Sequence, residues 1–272
     1  MSSEVQEEHI SKKRVVYHIP GMEDVPVRLD IEYGSSHSRP LTMDIYYPPQ
    51  MDTHTLLPFV IFVSGYSDIG MQKIIGCKAK EMGAYISWAQ LIAASGMIAV
   101  TYSNDEPQAD FQKLFLYLQQ NASTLRIDIS RFGLWASSGN VPMALSLLTK
   151  GNPVYPKCAA LCYGFMLDID PNNYVAQSSR AFGFVNPCQQ KTAGDINPKI
   201  PLFIVKALQD QIPNLNQTID QFVSSAEEYH LPLTLVTHST APHAFDLMHH
   251  SQESRGIIKQ ILDFIKFHLV IK

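Results

Sequence analysis

The stretch Arg131-Phe-Gly-Leu-Trp-Ala-Ser-Ser-Gly-Asn140 decides the fold of this 272-residue chain. Residues Phe132–Ala136 form an apolar run typical of a strand buried on both faces, and small residues follow at once. A helical pattern with a proline in its first turn then runs from Val141 to Thr149. A strand that turns sharply into a helix through small residues is typical of a nucleophile elbow, where a strained serine exposes its hydroxyl above a sheet.

Two adjacent serines compete for the exposed position of this turn. With Ser137 there, the position two residues earlier would be Trp135, whose indole would prevent the close approach of strand and helix. With Ser138 there, the two small positions are Ala136 and Asn140, in place of the usual glycines. We therefore prefer Ser138, although a Ser-Ser-Gly turn can also be an ordinary helix cap.

Composition limits the class of protein. Hydrophobic residues make up 46% of the chain, the net charge is −4, and no cluster of Lys and Arg predicts a nucleic-acid partner. The longest apolar stretch, Ser87–Tyr102, is interrupted by Ser95-Gly96, so no membrane span is expected. The polar first residues lack a secretory pattern, which indicates a cytoplasmic protein, and a homodimer is compatible with the sequence. The four cysteines lack metal or redox spacing and are expected to be free thiols.

The order of the elements predicts the architecture. Strand patterns over Arg14–Ile19, Val27–Tyr33 and Leu41–Tyr47 suit an antiparallel edge. After Pro58, buried strands alternate with helices, which indicates a mainly parallel central sheet covered by helices on both faces. The later strands are expected at Phe59–Val63, Met97–Tyr102, Phe132–Ala136, Lys157–Tyr163, Pro201–Lys206 and Leu233–Thr237. We expect one domain spanning residues 1–272.

The segment from Leu167 to Lys199 does not follow this alternation. It is long and rich in Asn, Gln, Ser and Gly. Long connections in compact domains are often functional lids or binding segments, so 167–199 is a candidate lid. A surface insertion with a helix of its own is the alternative.

Two later loops offer the partners that a catalytic serine needs. In an α/β sheet with a nucleophile elbow, the order along the chain is serine, acid, histidine. Asp210 follows the strand Pro201–Lys206, at the end where such sheets place functional groups. His243 follows the strand Leu233–Thr237, and His238, nearer the strand end, is the reserve. Each residue alone could be an ordinary turn or surface residue, so the prediction rests on their order.

An oxyanion hole and a substrate wall also have candidates. The strand Phe59–Val63 ends in Ser64-Gly65-Tyr66-Ser67, and the backbone N–H groups of Tyr66 and Gly139 would hold the oxyanion. An ordinary glycine turn is the alternative. The side chains of Tyr66 and Trp88 are candidates for substrate binding, although core packing is the alternative for Trp88. No histidine pair has metal-ligand spacing with a carboxylate, so neither a metal nor a cofactor is expected.

These motifs resemble those of α/β-hydrolases, in the dienelactone-hydrolase and esterase-like branch. The resemblance covers roughly Leu41 to the C-terminus and is carried by Val63-Ser-Gly-Tyr66, Ile127-Asp-Ile-Ser-Arg-Phe-Gly-Leu134, Ala136-Ser-Ser-Gly-Asn140, Leu208-Gln-Asp210 and Pro242-His-Ala-Phe245. Dienelactone hydrolases themselves use a cysteine at the elbow, so Ser138 argues against that activity. The resemblance implies the α/β-hydrolase fold and a serine hydrolase of the carboxylesterase type, acting without a cofactor. Its substrate would be a small-molecule ester, lactone or thioester, cleaved through an acyl-enzyme.

Other functions fit parts of the pattern. A peptidase or amidase could use the same triad of Ser138, Asp210 and His243, because specificity depends on the pocket walls. A non-catalytic ligand-binding protein could share the scaffold, although all three triad residue types are present. A Rossmann-type oxidoreductase would need G-x-G-x-x-G after the first buried strand, and Ser64-Gly-Tyr-Ser-Asp-Ile-Gly70 does not match.

Overall fold

A computed structural model of the protein describes residues 8–52 and 55–270, which include eight strands and eight α-helices. The strands are β1 (Val27–Ser36), β2 (Arg39–Tyr46), β3 (Leu57–Phe62), β4 (Ile98–Tyr102), β5 (Ile127–Ser137), β6 (Cys158–Cys162), β7 (Leu202–Ala207) and β8 (Leu233–His238). The α-helices are α1 (Asp68–Ile74), α2 (Gly83–Ala94), α3 (Pro107–Gln120), α4 (Val141–Leu147), α5 (Tyr174–Phe182), α6 (Leu215–Glu228), α7 (Phe245–Met248) and α8 (Gln252–Leu269).

The strands form one sheet in the order β1-β2-β4-β3-β5-β6-β7-β8. The first two strands pair antiparallel, β2 pairs antiparallel with β4, and all remaining pairs are parallel. The predicted architecture, a mainly parallel sheet with an antiparallel N-terminal edge, is therefore confirmed. The strand predicted over Arg14–Ile19 is wrong. There the N–H of Val15 donates to the Ser87 hydroxyl at 2.9 Å and that of Val16 to the Asp246 carbonyl at 2.8 Å, so this segment pairs with helical residues instead of a strand.

Alternation along the central strand builds a core on each face of the sheet. Phe132 and Leu134 of β5 belong to one core with residues of α3, α4 and α6, whereas Trp135 belongs to a second core with residues of α2 and α8. Successive side chains of a strand point to opposite faces, so an all-apolar strand is stable only where both faces are covered. All four cysteines are free, as expected. Within 8–52 and 55–270, no helix combines the length and apolarity needed to cross a bilayer.

The carboxyl ends of the parallel strands meet at one edge of the sheet. The loops that follow β3, β5, β7 and β8 lie together there. Backbone bonds join two of them, since the N–H of Leu208 donates to the His238 carbonyl at 3.0 Å and that of Gln209 to the Ala241 carbonyl at 3.0 Å. The helix α1 begins directly after the β3 loop, where the Ser67 side chain accepts from the Gly70 N–H at 3.1 Å. This edge is where open α/β sheets place their ligands.

A buried cation holds the antiparallel edge. The Lys80 ammonium donates to Asp30 at 2.7 Å and to Asp44 at 2.8 Å, and so joins β1 and β2 to the short turn before α2. Lys80 is 5% exposed and Asp44 is 4% exposed, while Asp30 reaches solvent. The two carboxylates raise the pKa of Lys80 against the opposing effect of burial, so the side chain stays charged.

We expect Lys80→Met to lower the free energy of unfolding by about 3–5 kcal/mol, because it leaves the Asp44 carboxylate buried without its partner. Urea titration followed by circular dichroism measures the change. The matched control is Lys259→Met, which removes an ammonium paired with Asp263 at 2.6 Å where both side chains are 60% exposed. That variant should lose far less stability, because solvent screens an exposed ion pair. Equal losses of unfolding free energy in the two variants would contradict a stabilising role for the buried ion pairs of Lys80.

Candidate active site

The turn after β5 holds Ser138 in a left-handed backbone conformation. Its φ is +56°, a region that side-chain-bearing residues rarely adopt and that costs about 1–3 kcal/mol. The chain can pass this closely only because its neighbour is a glycine, since a Cβ at Gly164 would lie 2.7 Å from the Ser138 carbonyl oxygen. A strained serine between a central strand and a helix is the geometry of a nucleophile elbow.

Two side chains form a hydrogen-bonded chain with the Ser138 hydroxyl. His243 Nε2 lies 2.8 Å from Ser138 Oγ, and His243 Nδ1 lies 2.6 Å from Asp210 Oδ2. An ionised carboxylate only accepts, so Nδ1 carries the ring proton and the unprotonated Nε2 accepts from the serine. The structure thus brings together Ser138, Asp210 and His243, in the arrangement in which a histidine can take the hydroxyl proton.

A backbone hydrogen bond fixes the Asp210 carboxylate, and burial distinguishes His243 from His238. The Asp210 side chain is fully buried, and its second oxygen accepts from the Ile212 N–H at 2.9 Å. His243 is partly exposed, as a group that must meet substrate needs to be. The reserve candidate, His238, is fully buried instead and bonds to the Ser254 hydroxyl at 2.9 Å. It therefore lies in the packing between β8 and α8.

The loop after β3 lies directly against the elbow. A Cβ at Gly65 would be 2.8 Å from the Gly139 carbonyl oxygen, and a Cβ at Gly139 would overlap the Tyr66 hydroxyl. The N–H of Tyr66 has no hydrogen-bond partner among the described residues. Gly139 lies in the first turn after the elbow, where N–H groups have no intrahelical acceptor. The two predicted oxyanion N–H groups thus belong to segments in direct contact.

Asn140, which replaces the usual small residue, joins the loop to the elbow. Its Oδ1 accepts from the Gly65 N–H at 2.7 Å. Its Nδ2 donates to the Ser137 carbonyl at 3.0 Å and to the Tyr85 hydroxyl at 3.0 Å. The side chain is buried, so these bonds are shielded from competing water. Sequence reasoning registered Asn140 only as a departure from glycine, and nothing local to it indicates a bond to Gly65.

A buried polar cluster lies behind the histidine. The ring of Tyr163 packs edge-on against His243, with centroids 5.0 Å apart. The Tyr163 hydroxyl donates to Asp246 Oδ1 at 2.6 Å, and the indole N–H of Trp88 donates to Oδ2 at 2.6 Å. Burial raises the pKa of the Asp246 carboxyl, and these two bonds oppose that effect.

This cluster corrects the interpretation of Trp88 as part of a substrate wall. Trp88 is fully buried and does not line the cavity beside Ser138 and His243, because its indole donates to Asp246 in the core. Tyr66, the other candidate for that wall, does line the cavity. Burial raises the pKa of its hydroxyl to about 12, so it is protonated at neutral pH. The sequence analysis assigned no role to Asp246, because its position three residues after His243 does not indicate the bonds to Trp88 and Tyr163.

A cavity of about 380 Å³ opens beside Ser138 and His243. This volume is in the range of small-molecule sites. Its apolar walls include Met71, Ile74, Ile75, Met82, Phe182 and Leu247. Within the described part of the chain, no group of three or more His, Cys, Asp or Glu side chains is arranged to hold a metal ion.

Part of the candidate lid, 167–199, reaches this cavity. Its helix α5 contributes Phe182, whose side chain is 43% exposed. The residues after α5 contact the loop that follows β3. Phe184 is buried against Tyr66, and the Val185 N–H donates to the Gly65 carbonyl at 2.8 Å. This segment therefore contacts both the cavity and the loop that carries Tyr66.

Solved structures with a similar backbone include esterases and an α/β-hydrolase. Neither a family model nor a curated protein matches the chain. Esterase LipW from Mycobacterium marinum aligns with a TM-score of 0.68 at 14% identity, over 90% of this chain and 82% of that one. A fungal esterase from Rhizomucor miehei aligns with a TM-score of 0.66 at 15% identity, over 90% and 84%.

The alignment with a third neighbour covers almost the whole length of that neighbour. MGS-M1, an α/β-hydrolase enzyme from a Medee basin deep-sea metagenome library, aligns with a TM-score of 0.62 at 15% identity, over 90% of this chain and 98% of that one. At such identities the likeness concerns the backbone. The order of the strands, the elbow after β5 and these neighbours together show that the chain has the α/β-hydrolase fold.

Proposed function

We propose that the protein is a serine hydrolase that cleaves small carboxylic esters through an acyl-enzyme. The observation that carries this proposal is the hydrogen-bonded chain from Asp210 through His243 to Ser138, at the mouth of an apolar cavity. Both hydrogen bonds of this chain are present, which argues against a non-catalytic binding protein. The esterase names of the structural neighbours are consistent with the proposal but concern proteins of low identity.

In the first half of the reaction, the Ser138 oxygen attacks the ester carbonyl carbon while His243 Nε2 takes the hydroxyl proton. The carbonyl oxygen becomes an oxyanion, which the N–H groups of Tyr66 and Gly139 stabilise. The intermediate then collapses, the bond to the alcohol oxygen breaks, and His243 returns the proton to the leaving alcohol. Asp210 orients the ring and stabilises its charged form without taking the proton.

In the second half, water replaces the alcohol. His243 takes one proton from water as its oxygen attacks the acyl carbon. The bond between that carbon and the Ser138 oxygen breaks, the serine regains its proton, and the carboxylic acid leaves. Activating serine by an adjacent base in this way divides one difficult hydrolysis into two easier steps.

The walls of the cavity favour an ester with an apolar group over a charged substrate. None of the described residues that line it is a lysine or an arginine. Lactones and thioesters remain within the proposal, and a peptidase or amidase is the alternative. The single domain over 1–272, a lid formed by 167–199, a homodimer and a cytoplasmic location remain predictions from the sequence.

We expect Ser138→Ala to abolish labelling by a fluorophosphonate probe and to lower kcat for p-nitrophenyl acetate by on the order of 10⁴ or more, because among the described residues only the Ser138 hydroxyl is hydrogen-bonded to His243. Gel fluorescence and the release of p-nitrophenol measure the two effects. The neighbouring Ser137→Ala variant is the matched control and should keep its labelling. Labelling that persists in Ser138→Ala would refute the nucleophile, and equal rates on a matched amide would favour the amidase alternative.

We expect Asn140→Ala to lower kcat by on the order of 10–100-fold with little change in KM, because the loop carrying the Tyr66 N–H loses its anchor while the cavity walls remain. Steady-state kinetics with p-nitrophenyl butyrate measure both constants. Asn121→Ala is the control, since its side-chain amide donates to the Tyr117 carbonyl near the end of α3. An effect on KM alone would show that Asn140 acts on substrate binding rather than on the oxyanion.

A further inference from the structure

One wall of the cavity contains a buried donor without an acceptor. Trp135 is 2% exposed and lines the cavity together with Ser138, and its indole N–H has no hydrogen-bond partner among the described residues. The other tryptophan, Trp88, donates to Asp246 at 2.6 Å. Leaving a buried donor unpaired costs free energy, so a buried N–H is expected to have a partner when the protein acts.

The hydroxyl of Tyr85 supplies a second free proton on the same cavity. The amide of Asn140 has one orientation only, because its Oδ1 meets the N–H of Gly65 and its Nδ2 meets the carbonyl of Ser137. Nδ2 must therefore donate to the Tyr85 oxygen, which accepts. The proton of Tyr85 points elsewhere, and no acceptor for it lies within hydrogen-bond distance in the described residues. Burial holds the pKa of Tyr85 far above neutrality, so this proton is always present.

The two donors are close to each other, and their surroundings select a neutral partner. The rings of Tyr85 and Trp135 lie edge to face with centroids 6.2 Å apart. Asp246, which lines the same cavity, accepts from Trp88 and Tyr163, and neither the Trp135 indole N–H nor the Tyr85 hydroxyl makes a hydrogen bond to it. An anionic group would meet the Asp246 carboxyl, and no lysine or arginine among the described lining residues would balance it. A ketone, ether or ester oxygen meets both donors without that penalty.

We propose that the cavity binds an apolar acyl group that carries a neutral hydrogen-bond acceptor, held by the indole N–H of Trp135 and the hydroxyl of Tyr85. This inference rests on the proposed function, since Ser138 at the cavity mouth sets which part of the substrate enters. An acyl chain with an oxo or alkoxy group satisfies both donors, whereas a plain alkyl chain leaves them unpaired. A site built to hydrogen-bond a substrate discriminates strongly against the analogue that lacks the polar group.

The kinetic test compares p-nitrophenyl heptanoates carrying a ketone at C4, C5 or C6 with matched esters in which C=CH₂ replaces C=O. We expect at least one ketone ester to exceed its isostere about 10-fold or more in kcat/KM. In Tyr85→Phe this preference should fall about 3- to 10-fold, and Trp135→Phe should reduce it similarly. The control is Tyr33→Phe, because the Tyr33 hydroxyl donates to the Ser103 carbonyl away from the cavity. Ratios near one throughout the panel, or a preference unchanged in Tyr85→Phe, would overturn the proposal.

A binding test separates this inference from the catalytic one. The chain has two tryptophans, so ¹⁵N-labelled Ser138→Ala protein gives two indole N–H signals, and Trp88 serves as the internal reference. We expect 2-hexanone to move the Trp135 signal downfield and 2-methyl-1-hexene not to do so. This shift in Ser138→Ala, together with a wild-type protein that hydrolyses no ester, would support the cavity proposal and refute the proposed function. Hydrolysis of simple esters with no shift and no ketone preference would refute the cavity proposal alone.

Discussion

The left-handed backbone of Ser138 is the constraint on which the rest of the site depends. Its φ of +56° turns the chain from the central strand β5 into α4 within a few residues and raises the hydroxyl above the sheet edge. The surrounding segments must then pass very close to it. Gly164 and Gly65 lie where a Cβ would strike the backbone of the elbow. The strain is sustained because the sheet and its covering helices hold both ends of the turn.

Buried polar side chains transmit that geometry to the rest of the active site. Asn140 joins the elbow to the β3 loop through bonds whose donor and acceptor roles cannot be exchanged. Behind His243, Asp246 accepts from Tyr163 and from Trp88 in the core. Such networks stabilise a site only when every member is satisfied, because an unpaired polar group in a low-dielectric interior is costly. Asn140 and Asp246 satisfy this condition with all their side-chain bonds directed at fixed partners.

The polar groups of the network are paired, whereas the cavity contains two donors without an acceptor among the described residues. Its walls are mostly apolar, and the polar atoms behind the histidine are paired. The indole N–H of Trp135 and the proton of Tyr85 stand apart from that pattern. In the proposed mechanism, the groups that act on the ester carbonyl are thus distinct from the side chains proposed to select its acyl chain. Under that proposal, a change in chain preference does not require a change in the residues of the triad.

The sequence by itself determined the fold class and the identity of the elbow serine, because both depend on local physics. Continuous apolar runs mark strands covered on both faces, and the bulk of Trp135 excludes Ser137 as the elbow serine. The order of Ser138, Asp210 and His243 also predicted that their loops share one sheet edge, since parallel strands end on the same side. Local pattern failed for Arg14–Ile19, where β-branched residues indicate extended backbone but not the partner of that backbone.

Only the tertiary structure decided which distant groups meet. Trp88 and Asp246 are 158 positions apart, and their bond makes a candidate wall residue into a core residue. Asn140 and Gly65 are 75 positions apart, and no local signal links an amide in one turn to an N–H in another. Hydrogen-bond satisfaction depends on the three-dimensional neighbours of each donor, which periodicity and spacing do not encode. For the same reason the free donors of Trp135 and Tyr85 could be recognised only once the packed cavity was known.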